Sequence, residues 1–437
     1  MKIQPTKLWD SLNTSFWFIP TLMVLSAIAL AIVTIYADHQ EAELVGKVIF
    51  TYTRGPDGAR AILSSIAGSM VTVATTAFSI VIVALQLASG QFGPRLIRSF
   101  IRDRGNQIVL GTFIATFVYC LLVLRTINGQ EDEEFVPQLS VTFSVGLAIA
   151  SIAVLIYFID HSARSIQAQH VIAQVGNDID ETMQRLFPQR IGQGKKNEHE
   201  IAKDIPPNFD DATSVKATDE GYIQGVDDQE LMKIAQEYDL LVRLNFRPGD
   251  FIVKGSALAQ VFPKQQANKK LITKLNEAFV FGKQRTEVQD LEFPINQLVE
   301  IAVRALSPGI NDPFTAIICI DQLSASLCHL AQREIPSPYR YDHKQLRVIA
   351  QTVTFPDMVD AAFNQIRQYG QSSVGVTIRL LEALATIATH THNKEYHAAL
   401  LRQAQMIERG SYEAVSEELD KQDIQQRYLE VLKVLQA

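Results

Sequence analysis

The pattern of apolar and polar positions divides the chain into two parts. Four uncharged apolar segments occur within the first 160 residues, and each approaches the roughly 20 residues that cross a hydrocarbon core. They cover residues 16–36, 61–87, 108–124 and 139–158. Beyond residue 160, apolar residues recur at helix or strand spacing between charged positions, which is typical of water-soluble folds. We therefore predict a transmembrane domain of four helices followed by a soluble part.

The soluble part is predicted to be mostly α with one small β-rich module. Short apolar runs alternate with turn sequences such as Pro248-Gly249-Asp250, which predicts strands. Downstream the spacing is helical, and Asp312 with Pro313 is typical of a helix start. The fourth span is predicted to continue as a polar helix over residues 162–186. The predicted parts are a transmembrane domain, a helix with a linker, the β-rich module and a helical domain, at 1–160, 161–212, 213–265 and 266–437.

Charge in the loops predicts an orientation. The loop after the second span carries four arginines and one acid, whereas the loop over residues 125–138 has four consecutive acids. Under the positive-inside rule both termini lie in the cytoplasm. The arginines either fix this topology or also reach lipid phosphates at the inner mouth of the second span. They are Arg95, Arg98, Arg102 and Arg104.

The second span carries a polar stripe at helical spacing. Two interpretations stay open, because small and hydroxyl residues favour close packing of membrane helices and also line pores. No charged residue lies within any predicted span, which argues against an ion-coupled transporter. The candidate pore-lining residues are Ser65, Gly68, Thr72, Thr75, Thr76, Ser79 and Gln86.

Composition and cysteine spacing give no sign of several other functions. The net charge of −7 gives no indication of nucleic-acid binding. The three cysteines lack the spacing of a disulfide framework or a zinc site. No nucleophile and base are paired by any motif, so we expect neither an enzyme, nor a cofactor, nor a metal site.

A second candidate site surrounds a Pro-Gly break between two predicted helices. Arginines beside a helix N-terminus can hold a small anionic ligand. The alternative is that these polar groups cap the helices and form ion pairs between them. The candidate ligand-binding residues are Arg285, Gln289, Asp290, Arg304, Ser307, Asn311 and Asp312.

Three long stretches carry a family resemblance. They read GSMVTVATTAFSIVIVALQLASGQFGPRLIRSFIRD, GYIQGVDDQELMKIAQEYDLLVRLNFRPGDFIVKGSAL and RTEVQDLEFPINQLVEIAVRALSPGINDPFTA. With them the chain resembles a bacterial membrane-protein family catalogued as domain of unknown function 2254. The resemblance implies an integral membrane protein with a cytoplasmic domain, and it brings no catalytic residues.

Two hypotheses about function remain. The first is a homo-oligomeric channel whose pore is lined by the second span and whose cytoplasmic domain gates or assembles it. Its basic inner mouth would favour anions. The second is a membrane-anchored sensor or scaffold whose cytoplasmic domain binds a ligand or a protein. In either case the expected partners are membrane lipids and further copies of the chain.

Overall fold

The computed structural model describes residues 17–40, 55–93, 103–128, 135–165, 167–187, 205, 209–264, 268–343 and 345–436. About 70% of the chain is helical, in agreement with the predicted mostly α fold. The chain forms two compact units that meet in sequence at His170 and Val171. We call them the N-terminal unit and the C-terminal unit.

Four long helices build the N-terminal unit, and the third is its centre. They are α1 (Phe18–Gln40), α2 (Pro56–Phe92), α3 (Arg104–Thr126) and α4 (Gln138–Ser165). Half of the most apolar 18-residue stretch of α3 is buried, whereas only 17–22% of the corresponding stretch is buried in each of the other three helices. α3 therefore packs against all of its neighbours, and Phe113, Tyr119 and Val123 are fully buried in it.

The predicted spans at 61–87, 108–124 and 139–158 lie within α2, α3 and α4, and the predicted span at 16–36 overlaps α1 from Phe18 onward. The predicted count of four spans differs from the structure. Five helices in the described ranges are long and apolar enough to cross a membrane. The fifth is Pro313–Ala331 in the C-terminal unit, which is less apolar than the others and more than half buried. The sequence prediction passed over it because its apolar run contains Asp321 and Gln322.

In the described part of the C-terminal unit, eight short strands form two sheets. The larger sheet has the order β1-β5-β3-β8-β7, and the smaller one has the order β4-β2-β6. β3 and β8 pair in parallel, and the other neighbours pair antiparallel. The strands are β1 (Thr213–Lys216), β2 (Gly221–Val226), β3 (Leu241–Leu244), β4 (Phe251–Ile252), β5 (Ala257–Phe262), β6 (Phe279–Gly282), β7 (Tyr339–Asp342) and β8 (Gln345–Ile349).

The last three strands differ from the sequence prediction, which assigned helices to the whole region after residue 266. β6 pairs with β2, and β8 pairs with β3 about a hundred positions away in sequence. Strands of four or five residues carry too little periodicity to be recognised, and their hydrogen bonds come from distant partners. The β-rich part is thus assembled from more of the chain than residues 213–265.

The helices of the C-terminal unit fall into two groups. Two short ones, α6 (Asp228–Glu237) and α7 (Lys269–Glu277), share a core with the strands. The others form a helical bundle in which α9 packs against α8, α10 and α11. The bundle consists of α5 (Ala168–Leu186), α8 (Glu292–Ala305), α9 (Pro313–Ala331), α10 (Phe355–Gly370), α11 (Val374–Thr389), α12 (Lys394–Ala414) and α13 (Glu418–Gln436).

The predicted continuous helix over residues 162–186 is interrupted. α4 ends at Ser165 and α5 begins at Ala168, so two residues separate them. Helical spacing predicts one packing face in this region, formed by Ile166, Val171, Ile172, Val175 and Ile179. The last four are buried in α5 together with Met183, and Ile166 lies outside the described residues.

Candidate functional site

The polar stripe of α2 lies on the exposed side of the N-terminal unit. Every one of the seven candidate pore-lining residues is exposed. The opposite side of the same helix is buried and consists mainly of alanine, for example Ala67, Ala77 and Ala84. Residues two apart on an α-helix point about 200° apart, so Ala77 and Ser79 face opposite directions. Close packing inside one protomer therefore uses the alanine side and leaves the stripe outside.

Four hydroxyls of the stripe bond to their own helix. Thr72 donates to the carbonyl of Gly68 at 3.1 Å, and Ser69, beside the stripe, donates to the carbonyl of Ser65 at 2.8 Å. Thr75, Thr76 and Ser79 repeat the pattern at 2.9–3.0 Å. Each donor is satisfied within the helix, while the hydroxyl oxygens keep acceptor capacity toward the outside.

Apolar side chains border the stripe along α2. Val71, Phe78, Ile82 and Leu87 are exposed, with 39–49% of their surface accessible. Exposed apolar surface of this kind is what a membrane helix presents to lipid. The stripe is therefore a narrow polar path, interrupted by the exposed Val83 between Ser79 and Gln86, on a surface that is otherwise suited to hydrocarbon.

Only one of the four predicted inner-mouth arginines falls among the described residues. Arg104 is exposed at the first position of α3. Arg95, Arg98 and Arg102 lie outside the described residues. The inner-mouth hypothesis thus stays a prediction.

An ion pair next to Arg104 joins α3 to α4. Asp103 caps α3 by accepting from the Gly105 amide at 2.8 Å, and its second oxygen lies 2.6 Å from His161 Nε2. A Cβ built on Gly105 would lie 2.7 Å from that nitrogen, so the pair leaves no room for a side chain there. The sequence interpretation missed this contact, because Asp103 and His161 are 58 positions apart.

Toward the end of α3 and the start of α4, buried polar groups hold α1, α3 and α4 together. Tyr119 Oη lies 3.0 Å from Thr34 Oγ1 and donates to the Ser140 carbonyl at 3.1 Å. Asp38 accepts from the amides of Leu139 and Ser140 at 2.8 and 3.0 Å, which caps α4 from the end of α1. A carboxylate at a helix N-terminus is stabilised by the unsatisfied amides and the helix dipole.

The second candidate site separates into two clusters at opposite ends of α8. This helix has 14 residues, which corresponds to a length of about 21 Å. Arg285, Gln289 and Asp290 lie before its first turn. Arg304 is in its last turn, and Ser307, Asn311 and Asp312 follow its end. One small ligand cannot contact all seven residues.

The first cluster is neutralised by its own side chains. Arg285 forms two parallel hydrogen bonds to Asp290, at 2.7 and 2.9 Å, and Arg247 donates to Glu292 at 2.8 Å. Asp290 is only 4% exposed, and burial raises its pKa while the hydrogen bonds and charge of Arg285 oppose that effect. Gln289 pairs with both backbone groups of Val226, at 2.8 and 3.0 Å. The cluster fastens α8 to the smaller sheet.

The second cluster shapes the connection from α8 to α9. Ser307 Oγ donates to the Arg304 carbonyl at 2.6 Å, and Arg304 pairs with Glu300 at 3.7 Å. Asn311 has a left-handed backbone, with φ of 50°. Asp312 caps α9 through the amide and hydroxyl of Thr315, at 3.1 and 2.6 Å. This arrangement corresponds to the capping alternative.

The first cluster also lies beside the point at which α5 is held. Arg185 and Thr182 of α5 both donate to the carbonyl of Glu287, at 2.6 and 3.5 Å. Further along the bundle, His329 Nδ1 lies 3.2 Å from Asp180. A Cβ on Gly176 would lie 2.1 Å from the side chain of Gln322, so α5 approaches α9 closely. α5 is thereby attached to the C-terminal unit from Gly176 to Arg185.

No geometry for a metal ion was found within the described ranges, where no three His, Cys, Asp or Glu side chains form a possible ligand group. The three cysteines are buried and unpaired with one another.

Comparison with known proteins gives a family without an assigned activity. A family model described as "Predicted membrane protein (DUF2254)" matches residues 13–386. Uncharacterized proteins of Mycobacterium bovis and Mycobacterium tuberculosis are 31% identical over 418 residues, which covers 94% of this chain and 79% of each relative. No solved structure matches the chain. Together with several apolar helices long enough to cross a bilayer, these matches show that the chain belongs to the DUF2254 family of predicted membrane proteins.

Proposed function

We propose that this membrane protein assembles into a homo-oligomeric channel in which the α2 stripes of several copies face a common axis. The single observation that carries the proposal is the exposure of the whole stripe on the side of α2 opposite its buried alanine face. Helices α1–α4 cross the membrane in this account, and α9 belongs to the core of the C-terminal unit.

The chemistry of the stripe suits a water-filled path. Hydroxyl oxygens can contact water or partly dehydrated ions without the cost of burying a charge in the membrane. Facing lipid, the same oxygens would lose all hydrogen-bonding partners outside the helix. Grouping the stripes around an axis gives those oxygens water and leaves the apolar borders of α2 for lipid or neighbouring helices.

The C-terminal unit would regulate or assemble this channel through α5. α5 follows α4 after two residues and is fixed to the bundle by Thr182, Arg185 and Gly176. A movement of the bundle would therefore act on the last span. In this proposal the protein lies in the bacterial cytoplasmic membrane with both termini inside, has no enzymatic activity, and favours anions through its predicted basic loop.

The alternative is a membrane-anchored sensor or scaffold. The firm attachment of α5 and the extensive C-terminal unit are consistent with it, because they would serve a dimeric receptor as well as a channel. In that case the stripe is buried between the α2 helices of two copies, where small and hydroxyl residues permit close approach.

Ion flux through reconstituted liposomes separates the two functions. We expect wild-type protein to conduct a small anion, and Thr72→Leu to abolish that flux by placing an apolar side chain on the axis. Ser26→Leu is the matched control, because Ser26 on α1 is also exposed and bonds to its own i−4 carbonyl at 2.9 Å. Wild-type liposomes that pass no ion, or equal losses in both variants, would contradict the channel.

A further inference from the structure

We propose that Arg367 and Arg409 of the C-terminal unit form a binding site for a phosphate group between helices α10 and α12. Neither residue belongs to the candidate sites described above, and the inference does not depend on the channel function.

The register of the two helices brings these arginines to one place. Gln403 of α12 donates to Asn364 of α10 at 2.8 Å. Seven residues further along both helices, a Cβ built on Gly410 would have Gln371 Oε1 as its nearest neighbour, at 3.7 Å. α10 and α12 therefore run in the same direction side by side. Arg367 and Arg409 lie between these two contacts on facing helices.

The two guanidinium groups are not neutralised within the described part of the chain. The nearby carboxylate of Asp360 is already engaged, because Arg402 binds both its oxygens at 2.6 and 2.7 Å and Gln403 donates to it at 2.7 Å. Arg367 Nε is buried and forms no hydrogen bond among the described residues. Burial lowers the pKa of Arg367, and the charge of Arg409 lowers it further against a weaker opposing effect of Asp360.

Two like charges held together without counterions cost free energy, and a bound dianion would remove that cost. Guanidinium groups match the oxygens of phosphate with paired hydrogen bonds, which explains why arginine is used for phosphate recognition. Arg367 also lies in the last turn of α10, where a cation complements the helix dipole. That purely structural role accounts for Arg367, but it does not account for the second arginine opposite it.

The surface beside the arginines is open. Gly410 lies inside α12, where glycine costs about 1 kcal/mol relative to alanine. No atom closer than 3.7 Å would meet a side chain there, so packing does not require the glycine. Arg409 is exposed and Arg367 is partly exposed, so a phosphate group can approach both guanidinium groups from solvent on the side where Gln371 lies.

Isothermal titration of the full chain in detergent with inorganic phosphate at constant ionic strength tests the site. We expect saturable binding that is at least about tenfold weaker in Arg367→Gln and in Arg409→Gln, since each loses a charge-assisted contact. Gly410→Leu should also weaken binding by placing a bulky apolar side chain next to Arg409. Lys394→Gln is the matched control, because it removes one positive charge from an exposed position at the other end of α12.

A second arm identifies the source of the phosphate group. Competition with vesicles of phosphatidylglycerol, against vesicles of phosphatidylcholine, shows whether a lipid headgroup occupies the same site. Displacement of bound inorganic phosphate by phosphatidylglycerol alone assigns the site to lipid, and no displacement assigns it to a soluble phosphate. The proposal is overturned if wild-type protein does not bind phosphate saturably, or if the arginine variants and Lys394→Gln bind equally well. Correct folding of each variant is checked by its circular dichroism spectrum and unfolding temperature.

Discussion

At the residue scale, the polar groups of the C-terminal unit are arranged for attachment between elements. Asp290 is the clearest case, since it accepts two hydrogen bonds from Arg285 and one from the Phe293 amide while being almost completely buried. Removing one partner of a buried charge pair costs more than the pair contributes, because the other charge stays behind unpaired. Gly249 is required beside this pair for a steric reason as well as for its backbone.

Gly249→Ala should destabilise the C-terminal unit by displacing the Arg285–Asp290 pair. Gly249 has a φ of 99°, and a Cβ there would lie 2.4 Å from Asp290 Oδ2. Gly255 has a similar φ of 88°, but no atom lies within 4 Å of its Cβ position. Both substitutions carry backbone strain of about 1–2 kcal/mol. We expect Gly249→Ala to lose at least about 1 kcal/mol more.

Chemical denaturation followed by circular dichroism measures this difference. Equal losses of unfolding free energy in Gly249→Ala and Gly255→Ala would show that the pair tolerates the extra methyl group. The role given to the cluster in fastening α8 would then be wrong.

At the element scale, α5 is the part of the C-terminal unit that follows α4, the last helix of the N-terminal unit, in sequence. Its amphipathic spacing was sufficient to predict both the helix and its buried face. Its separation from α4 was not predictable, because residues 162–170 contain neither glycine nor proline to mark a break. The carbonyl of Glu287 that receives Arg185 could not be predicted either, since a backbone acceptor has no sequence signature.

Arg185→Ala should loosen α5 without disturbing the rest of the bundle. Its guanidinium donates to the Glu287 carbonyl at 2.6 Å, whereas Thr182, the other α5 side chain that donates to this carbonyl, lies 3.5 Å away. We expect faster amide hydrogen exchange in α5 and unchanged exchange in α11–α13. Arg164→Ala is the control, because Arg164 is exposed and pairs only with Asp160 on its own helix. Unchanged exchange in α5 would contradict its attachment at this point.

For the two candidate sites as well, some features could be predicted from the sequence and others could not. The stripe on α2 followed from helical spacing alone, and its outward direction was implicit in the alanines two positions away from its hydroxyls. The separation of the second site was also implicit, since its residues fall into two groups, at 285–290 and 304–312, with a stretch of helical spacing between them. Two pairings depend on tertiary structure. Asp103 pairs with His161, and Arg285 approaches Glu292, which also binds Arg247. No local pattern encodes them.

At the scale of the whole molecule, the account depends on what covers the outward face of α2. α2 has 37 residues and a length of about 55 Å, which exceeds the roughly 30 Å of a hydrocarbon core. The stripe from Ser65 to Gln86 occupies the middle of this helix. Among the described residues of one protomer nothing covers the stripe, and in a membrane it meets lipid, another copy of α2, or water. Only the last of these gives the protein a transport function.

Labelling of single cysteines by a water-soluble, membrane-impermeant thiol reagent distinguishes these environments most directly. The background is a chain without its three native cysteines, reconstituted in liposomes. Thr72→Cys places a thiol on the stripe, and Phe78→Cys places one on the exposed apolar border of the same helix. The account predicts rapid labelling of Thr72→Cys and little labelling of Phe78→Cys. Protection of both positions would contradict a water-filled path along α2.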